Sequence, residues 1–212
     1  PVVHLEAGLR SFNRRMPEEI NRVLTDHVSS LLLCPTPTAV ANLKAEGIAS
    51  NVQFVGDVMY DLVREVRETA TKAQNCLAEH GLTEGTYAVA TLHRAENTDD
   101  LHRFEELADY LISVARQRTV VFPVHPRIKS HAQRLKHSGV DLRLIEPLGY
   151  LDMQQLLAGS ELVLTDSGGL QKEACFHGKP CITLREETEW VETIDAGWNR
   201  LWRTPNFKPR RP

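Results

Sequence analysis

TDSGGLQKEACFHGKP, residues 165–180, is the stretch whose reading decides the fold. It follows the apolar run ELVL (161–164), and after two glycines it opens into LQKEACF, where Leu170, Ala174 and Cys175 recur at helical spacing. That order predicts strand, tight turn, helix. Gly168 and Gly169 let the backbone turn with no Cβ in the way, so the first-turn N–H groups point beyond the strand end. A helix start of this kind suits an anion. The dipole contributes about 0.3–1 kcal/mol at an exposed site and up to about 2 kcal/mol when partly buried, and Ser167 adds a hydroxyl donor for a phosphate. Glu173, six residues beyond Ser167, could accept hydrogen bonds from a ribose diol further along the same ligand. By spacing alone, the same residues fit a plain short connection with Glu173 a solvated helix residue.

Outward from this stretch the alternation continues in both directions. PVVHLE (1–6) predicts a buried strand, followed by the polar loop AGLRSFNRRM. A helix starts at Pro17, with Glu18 and Glu19 in the first turn where the dipole favours them, and runs to about Ser29. LLLC (31–34) is a second strand, Thr36 caps a helix with Pro37 at its first position and Gly47 at its end, and NVQFV (51–55) is a third strand. A long amphipathic helix is expected from Val58 to about His80, with Leu62, Val66, Thr69 and Ala73 on one face. Beyond it come strand 87–92, helix 99–117, strand 119–124, helix 128–137, strand 142–145, helix 151–158, strand 161–164, helix 169–177 and strand 181–184. Strands alternating with helices of this length imply an α/β fold with parallel sheets and right-handed crossovers. The domain boundaries expected are 1–57, a linking helix 58–81, and 82–212.

Composition narrows the function classes. The chain has 212 residues, 42% hydrophobic and 25% charged, enough for one large or two small cores. The net charge of −3 argues against nucleic acid, so an anionic ligand must be held by local arginines and backbone N–H groups. No apolar run reaches the roughly 20 residues needed to cross a bilayer, and no signal peptide is recognisable at the start. Cys34, Cys76, Cys175 and Cys181 form no C-x-x-C pair and read as reduced core thiols of a cytoplasmic protein. A start at Pro1 on a strand-like run, and an end on the proline-rich RTPNFKPRRP, suggest a piece of a longer chain.

Polar residues cluster just past the strands: Glu6, His93 with Arg94 and Glu96, His125, Glu146, Asp166 with Ser167, and Arg185 to Glu189. Ligands of open α/β sheets bind outside the carboxyl ends of the strands, which points to a small-molecule enzyme with its site between two domains. Glu6 finishes an apolar run, so its carboxylate must be paired or functional. His4 on the same run reads as a hydrogen-bonded core histidine. Spacing does not separate Glu18 from Glu19. His125 either lines a nucleotide site or ends its strand, and Arg10 could place a phosphate or the neighbouring loop. His27, His80, His102, His131, His137 and His177 fall in helical or peripheral positions and carry no assignment. No histidine or cysteine spacing suggests a metal, and no cofactor is expected. Trp190, Trp198 and Trp202 read as packing anchors in a segment without its docking partner.

At HLEAGLRS (4–11), MPEEINR (16–22), TLHRAEN (91–97), VHP (124–126), EPLGYLD (146–152), TDSGGLQKE (165–173) and LREETEW (184–190), the sequence resembles the non-hydrolysing UDP-N-acetylglucosamine 2-epimerase family. The resemblance covers almost the whole chain. It implies two Rossmann-like domains of the glycosyltransferase-B type, the first truncated here, and a homodimer when full length. It also implies inversion of C2 of a UDP-sugar, by elimination of UDP to an unsaturated glycal-type intermediate across C1 and C2 and readdition after reprotonation from the other face. On it, Glu6 and Glu18 match catalytic carboxylates and His93 a histidine near the leaving group. Ser167, Gly168 and Gly169 would hold the diphosphate, Glu173 the ribose hydroxyls, with Arg10 and His125 also at the UDP site. Thr188-Glu189 is followed by Trp190 where many members have Arg-Pro. This version resembles the branch that includes epimerases of diacetamido-glucuronate sugars in surface-polysaccharide pathways. A glycosyltransferase of the same fold is the runner-up, and a non-catalytic nucleotide-sugar binding domain a third reading.

Overall fold

A computed structural model describes residues 1–70, 76–136 and 139–203. The chain divides into two compact units, one of residues 1–62 with 187–190, the other of 63–186 with the stretch from Val191 onward. Both are α/β units of Rossmann-like type with parallel sheets, as the glycosyltransferase-B-type class requires.

In the first unit, strands β1 (Val3–Leu5), β2 (Leu31–Cys34) and β3 (Val52–Phe54) pair in that order, in parallel. Helix α1 (Pro17–Val28) joins β1 to β2, and α2 (Pro37–Ala45) joins β2 to β3. Thr36 caps α2 through its hydroxyl oxygen, which accepts from the Ala39 N–H at 3.1 Å. Gly8, at φ +80°, brings the loop after β1 so close to α2 that a Cβ there would lie 2.4 Å from the Ala39 carbonyl oxygen. The core comprises Ala7, Leu9, Leu32, Cys34, Ala39, Leu43 and Trp190. The strand expected at 1–6 is β1, and its side chains are not the buried ones expected: Val3 is 57% and Leu5 47% exposed.

The second unit has six strands in the order β6-β5-β4-β7-β8-β9. These are β4 (Tyr87–Thr91), β5 (Thr119–Pro123), β6 (Leu142–Ile145), β7 (Leu162–Thr165), β8 (Cys181–Thr183) and β9 (Asn199–Leu201), every pairing parallel. Successive residues of β4 face opposite ways, as a strand demands. Ala88 and Ala90 pack with Phe104, Leu107 and Leu111 of α6 (Leu101–Ala115), whereas Tyr87 and Val89 pack with Leu156 and Leu157 of α8 (Tyr150–Gly159) and Ala174 of α9 (Gly168–Phe176). Strands buried on both faces read as continuous apolar runs. The chain runs from β4 outward to β6 and then returns to place β7 on β4's other side, so strand order reverses between β4 and β7.

Several expectations shift. The expected helix 99–117 is α6, preceded by an unexpected short α5 (Ala95–Thr98) and by Asp100, whose carboxylate caps α6 by accepting from His102 and Arg103 N–H groups. The expected helix 128–137 is a 3-10 turn (Pro126–Ile128) and α7 (Ala132–Lys136). The long helix at 58 is α3 (Val58–Ala70), followed by α4 (Cys76–Glu79). Its buried side chains are Val63 and Val66, while Leu62 is 42% exposed. The Thr69 side chain, Ala73, His137 and most of RTPNFKPRRP lie outside the described residues. Two further elements were not legible: α10 (Val191–Asp195) and β9. The expected lack of docking partners is corrected for two tryptophans. Trp190 enters the first unit's core, and Trp202 lies 5.7 Å from the Tyr110 ring between the Arg103 and Arg203 guanidinium groups.

Candidate active site

The β4–β7 register pairs Thr91 with Thr165, and their hydroxyls meet at 2.7 Å. The residues that follow on the two strands therefore emerge side by side, at the point where strand order reverses. Asp166, fully buried, accepts from the backbone N–H of His93 at 3.1 Å, that of Arg94 at 2.9 Å and the Asn97 amide at 3.1 Å. The His93 imidazole closes the cluster, with Nδ1 3.2 Å from the Asp166 carboxylate. Burial alone would push the Asp166 carboxyl up, but the donated hydrogen bonds and the His93 charge hold it below the usual carboxylate range. An ionised Asp166 accepts from Nδ1–H, which leaves Nε2 of the partly exposed ring facing outward. His125, at the end of β5, brings its ring centroid to 5.5 Å from that of His93. Its Nδ1 accepts from the Arg127 N–H at 3.2 Å, so His125 both ends its strand and caps the 3-10 turn.

Beside them, α9 begins. The Ser167 hydroxyl oxygen accepts from the Leu170 N–H at 3.3 Å, which leaves its own proton to donate. Gly168 and Gly169 occupy the first two helical positions, whose N–H groups have no carbonyl within the helix. Neither glycine takes a positive φ, which corrects the expectation that they make the turn. At Gly169 the missing Cβ leaves the helix start open to approach; a Cβ there would meet only the Ser167 oxygen, at 4.0 Å. Glu173 is not a solvated helix residue. It is 4% exposed, burial pushes its carboxyl up, and the Gln154 and Tyr150 side chains face it as donors that partly offset this.

The first unit separates the two adjacent glutamates. Glu19, 2% exposed, accepts from the Ser11 N–H and hydroxyl and from the Phe12 N–H, at 2.9–3.0 Å. That carboxylate pins the loop after β1. Glu18 is exposed in the first turn of α1. Glu6 is also exposed and holds φ 68°, a left-handed conformation costing a non-glycine residue roughly 1–2 kcal/mol. A glycine would relieve it, so a carboxylate at a strained strand end is a pointer to function.

Arg10 is placed differently from the phosphate role expected of it. It is 4% exposed and donates to the Leu9 carbonyl, to Asp26 at 2.7 Å, and to both Glu46 oxygens at 2.6 and 2.9 Å. That network matches the alternative, holding the neighbouring loop. Asp26, fully buried, is its hub: it also accepts from the Gly8 N–H at 3.2 Å and pairs with His4 at 2.6 Å. His4 is thus hydrogen-bonded, as expected. Thr188, Glu189 and Trp190 lie with the first unit, Glu189 3.7 Å from Arg22 and Trp190 in the core.

Sequence reasoning missed the orienting role of Asp166, and missed Asp26, Tyr150 and Gln154. For Asp166 a signal existed, since adjacent parallel strands set residues 93 and 166 side by side. Asp26 had none, because a mid-helix aspartate reads as solvated. Among the described residues, no group of three or more histidine, cysteine or acidic side chains could hold a metal ion. Nor, among them, is any helix long and apolar enough to cross a membrane.

Comparison with known proteins bears on the whole chain. A "UDP-N-acetylglucosamine 2-epimerase" of Methanococcus maripaludis, described as a homolog, is 48% identical over 206 residues, 94% of this chain and 57% of that protein. The UDP-2,3-diacetamido-2,3-dideoxy-D-glucuronate 2-epimerase of Pseudomonas aeruginosa is 50% identical over 208 residues, 95% of this chain and 56% of that one. The solved UDP-GlcNAc 2-epimerase of Neisseria meningitidis, bound to UDP-GlcNAc, superposes with a TM-score of 0.87 at 32% identity, over 95% of this chain and 57% of the other. That of Methanocaldococcus jannaschii, in complex with UDP-GlcNAc and UDP, gives 0.85 at 41% identity, over 94% and 57%. The chain therefore spans little more than half the length of these relatives. A profile described as UDP-N-acetylglucosamine 2-epimerase matches residues 1–208, and the chain belongs to that family.

Proposed function

We propose that the protein inverts C2 of a UDP-N-acetylhexosamine by eliminating and readding UDP, with UDP-N-acetylglucosamine or its 2,3-diacetamido-glucuronate relative as substrate. One observation carries the reading. On a single strand edge, a carboxylate-oriented imidazole (His93 on Asp166) stands beside an open helix start at Ser167–Gly169 and, one turn on, a buried acceptor at Glu173. The helix start suits the diphosphate and Glu173 the ribose diol. His93 serves the departing diphosphate, with His125 beside it.

Glu6 and Glu18 are proposed as the proton-transfer groups at C2. One carboxylate takes the C2 proton, the C–H electron pair forms the C1=C2 bond, and the C1–O bond breaks with its pair on the UDP oxygen. In readdition the C1=C2 pair takes one proton at C2 from the carboxylate on the other face, and the UDP oxygen pair re-forms the C1–O bond. A positioned acid or base contributes about 10²–10⁴-fold to such transfers.

The full-length protein, turning over either substrate in D₂O, is expected to place one deuterium at C2 of the inverted sugar, read by mass spectrometry. Inversion without deuterium would exclude solvent-exchanging proton transfer, and sugar transfer to an acceptor without epimer would favour a glycosyltransferase. Ser167→Ala and Glu173→Ala are each expected to weaken UDP binding about 10–100-fold in calorimetry, a charged-group hydrogen bond contributing about 1.5–3 kcal/mol. Unchanged UDP affinity in both would remove the nucleotide from this edge.

A further inference from the structure

Helices α8 and α9 pack together, and each presents a pair of polar residues four positions apart, hence on one face. On α8 these are Tyr150 and Gln154. On α9 and its cap they are Glu173 and His177, linked through the backbone by the His177 N–H to the Glu173 carbonyl at 3.0 Å. Across the helices, His177 Nε2 lies 2.7 Å from Gln154 Oε1. His177 is 8% and Gln154 2% exposed, so the histidine read from sequence as helical or peripheral is buried. Burial, helped by the charges of Arg67 and Lys179, pushes the His177 imidazole down to about 4, so near neutrality it is uncharged and its Nε2–H donates to Gln154.

That contact fixes which end of the amide points where. With Oε1 tied to His177, the Nε2 end turns towards Glu173, where it is buried and closes no hydrogen bond of ordinary geometry.

We propose that Gln154 and His177 are positioning residues for Glu173: His177 orients the Gln154 amide, and the Nε2 end, turned to the carboxylate, biases Glu173 towards the orientation that receives a ribose diol. The proposal rests on the reading that Glu173 meets the ribose, and the test separates the two. Calorimetry on the full-length protein compares UDP with 2′,3′-dideoxy-UDP, which lacks the diol. The wild-type protein is expected to prefer UDP by on the order of tenfold or more. Gln154→Leu and His177→Phe should reduce that preference to roughly threefold or less, leaving dideoxy-UDP affinity unchanged, because only the diol contact depends on the amide. His177→Gln keeps an N–H donor for Gln154 and should restore the preference. If leucine at 154 prevents folding, Gln154→Asn, a methylene too short to reach Glu173, carries the same expectation. A wild-type preference near one would overturn the ribose reading itself. A normal preference in the Gln154 and His177 variants, or an equal weakening of both nucleotides, would overturn the positioning role alone.

Discussion

His93→Ala in the full-length protein is expected to lower kcat by about 10²–10⁴-fold while UDP affinity stays within about threefold of wild type. The expectation follows from how the imidazole is held. Asp166 fixes Nδ1–H, so Nε2 presents one tautomer in one direction, and preorganised proton transfer is lost with the ring. His93→Gln keeps a donor but no titrating group, and should rescue little of the rate. Steady-state kinetics beside UDP calorimetry checks this; a variant that loses UDP affinity in proportion to its rate would make His93 a binding group. Asp166→Asn is a harsher change, because its amide donor end would face the His93 and Arg94 N–H groups that now donate to a carboxylate.

Arg10→Ala is expected to destabilise the full-length protein by about 3–5 kcal/mol in urea unfolding, the usual effect of leaving a buried charge without its partner. Asp26 would keep His4 and the Gly8 N–H but lose its one arginine. Arg10→Lys offers no bidentate fork for Glu46 and should recover only part of this. The Arg10 guanidinium, chiefly, holds the Glu46 carboxyl below its ordinary range. That contribution is therefore present above the unfolded carboxylate's pKa of roughly 4.3 and is lost as pH falls through the lower folded value. Full stability with weakened UDP binding in Arg10→Ala would instead return Arg10 to the phosphate.

What could be read from the sequence was what is written locally. LLLC and LRLI are strands to the residue, and the Thr36-Pro37 cap starts its helix where expected, because a side-chain oxygen and the fixed proline φ act within three residues. Relations across the chain were not legible. Strand β9 contains one apolar side chain in three, and is held by Asn199 bonding to Thr183, Gln171 and Thr193. Glu18 and Glu19 have the same local environment in sequence, and only the loop at Ser11 and Phe12 tells them apart. The glycines of the decisive stretch were assigned correctly to a helix start but for the wrong reason, openness rather than a turn.

The return of residues 187–190 to the first unit sets the timing of folding on the ribosome. Trp190, 4% exposed, belongs to a core whose other members are synthesised before Leu43 is complete. The 124 residues from Val63 to Glu186 intervene. At about 5–20 residues per second, that is roughly 6–25 s during which the first unit waits without its tryptophan. Residues 1–62 thus cannot complete their core until Trp190 has been made, after every strand of the second sheet except β9.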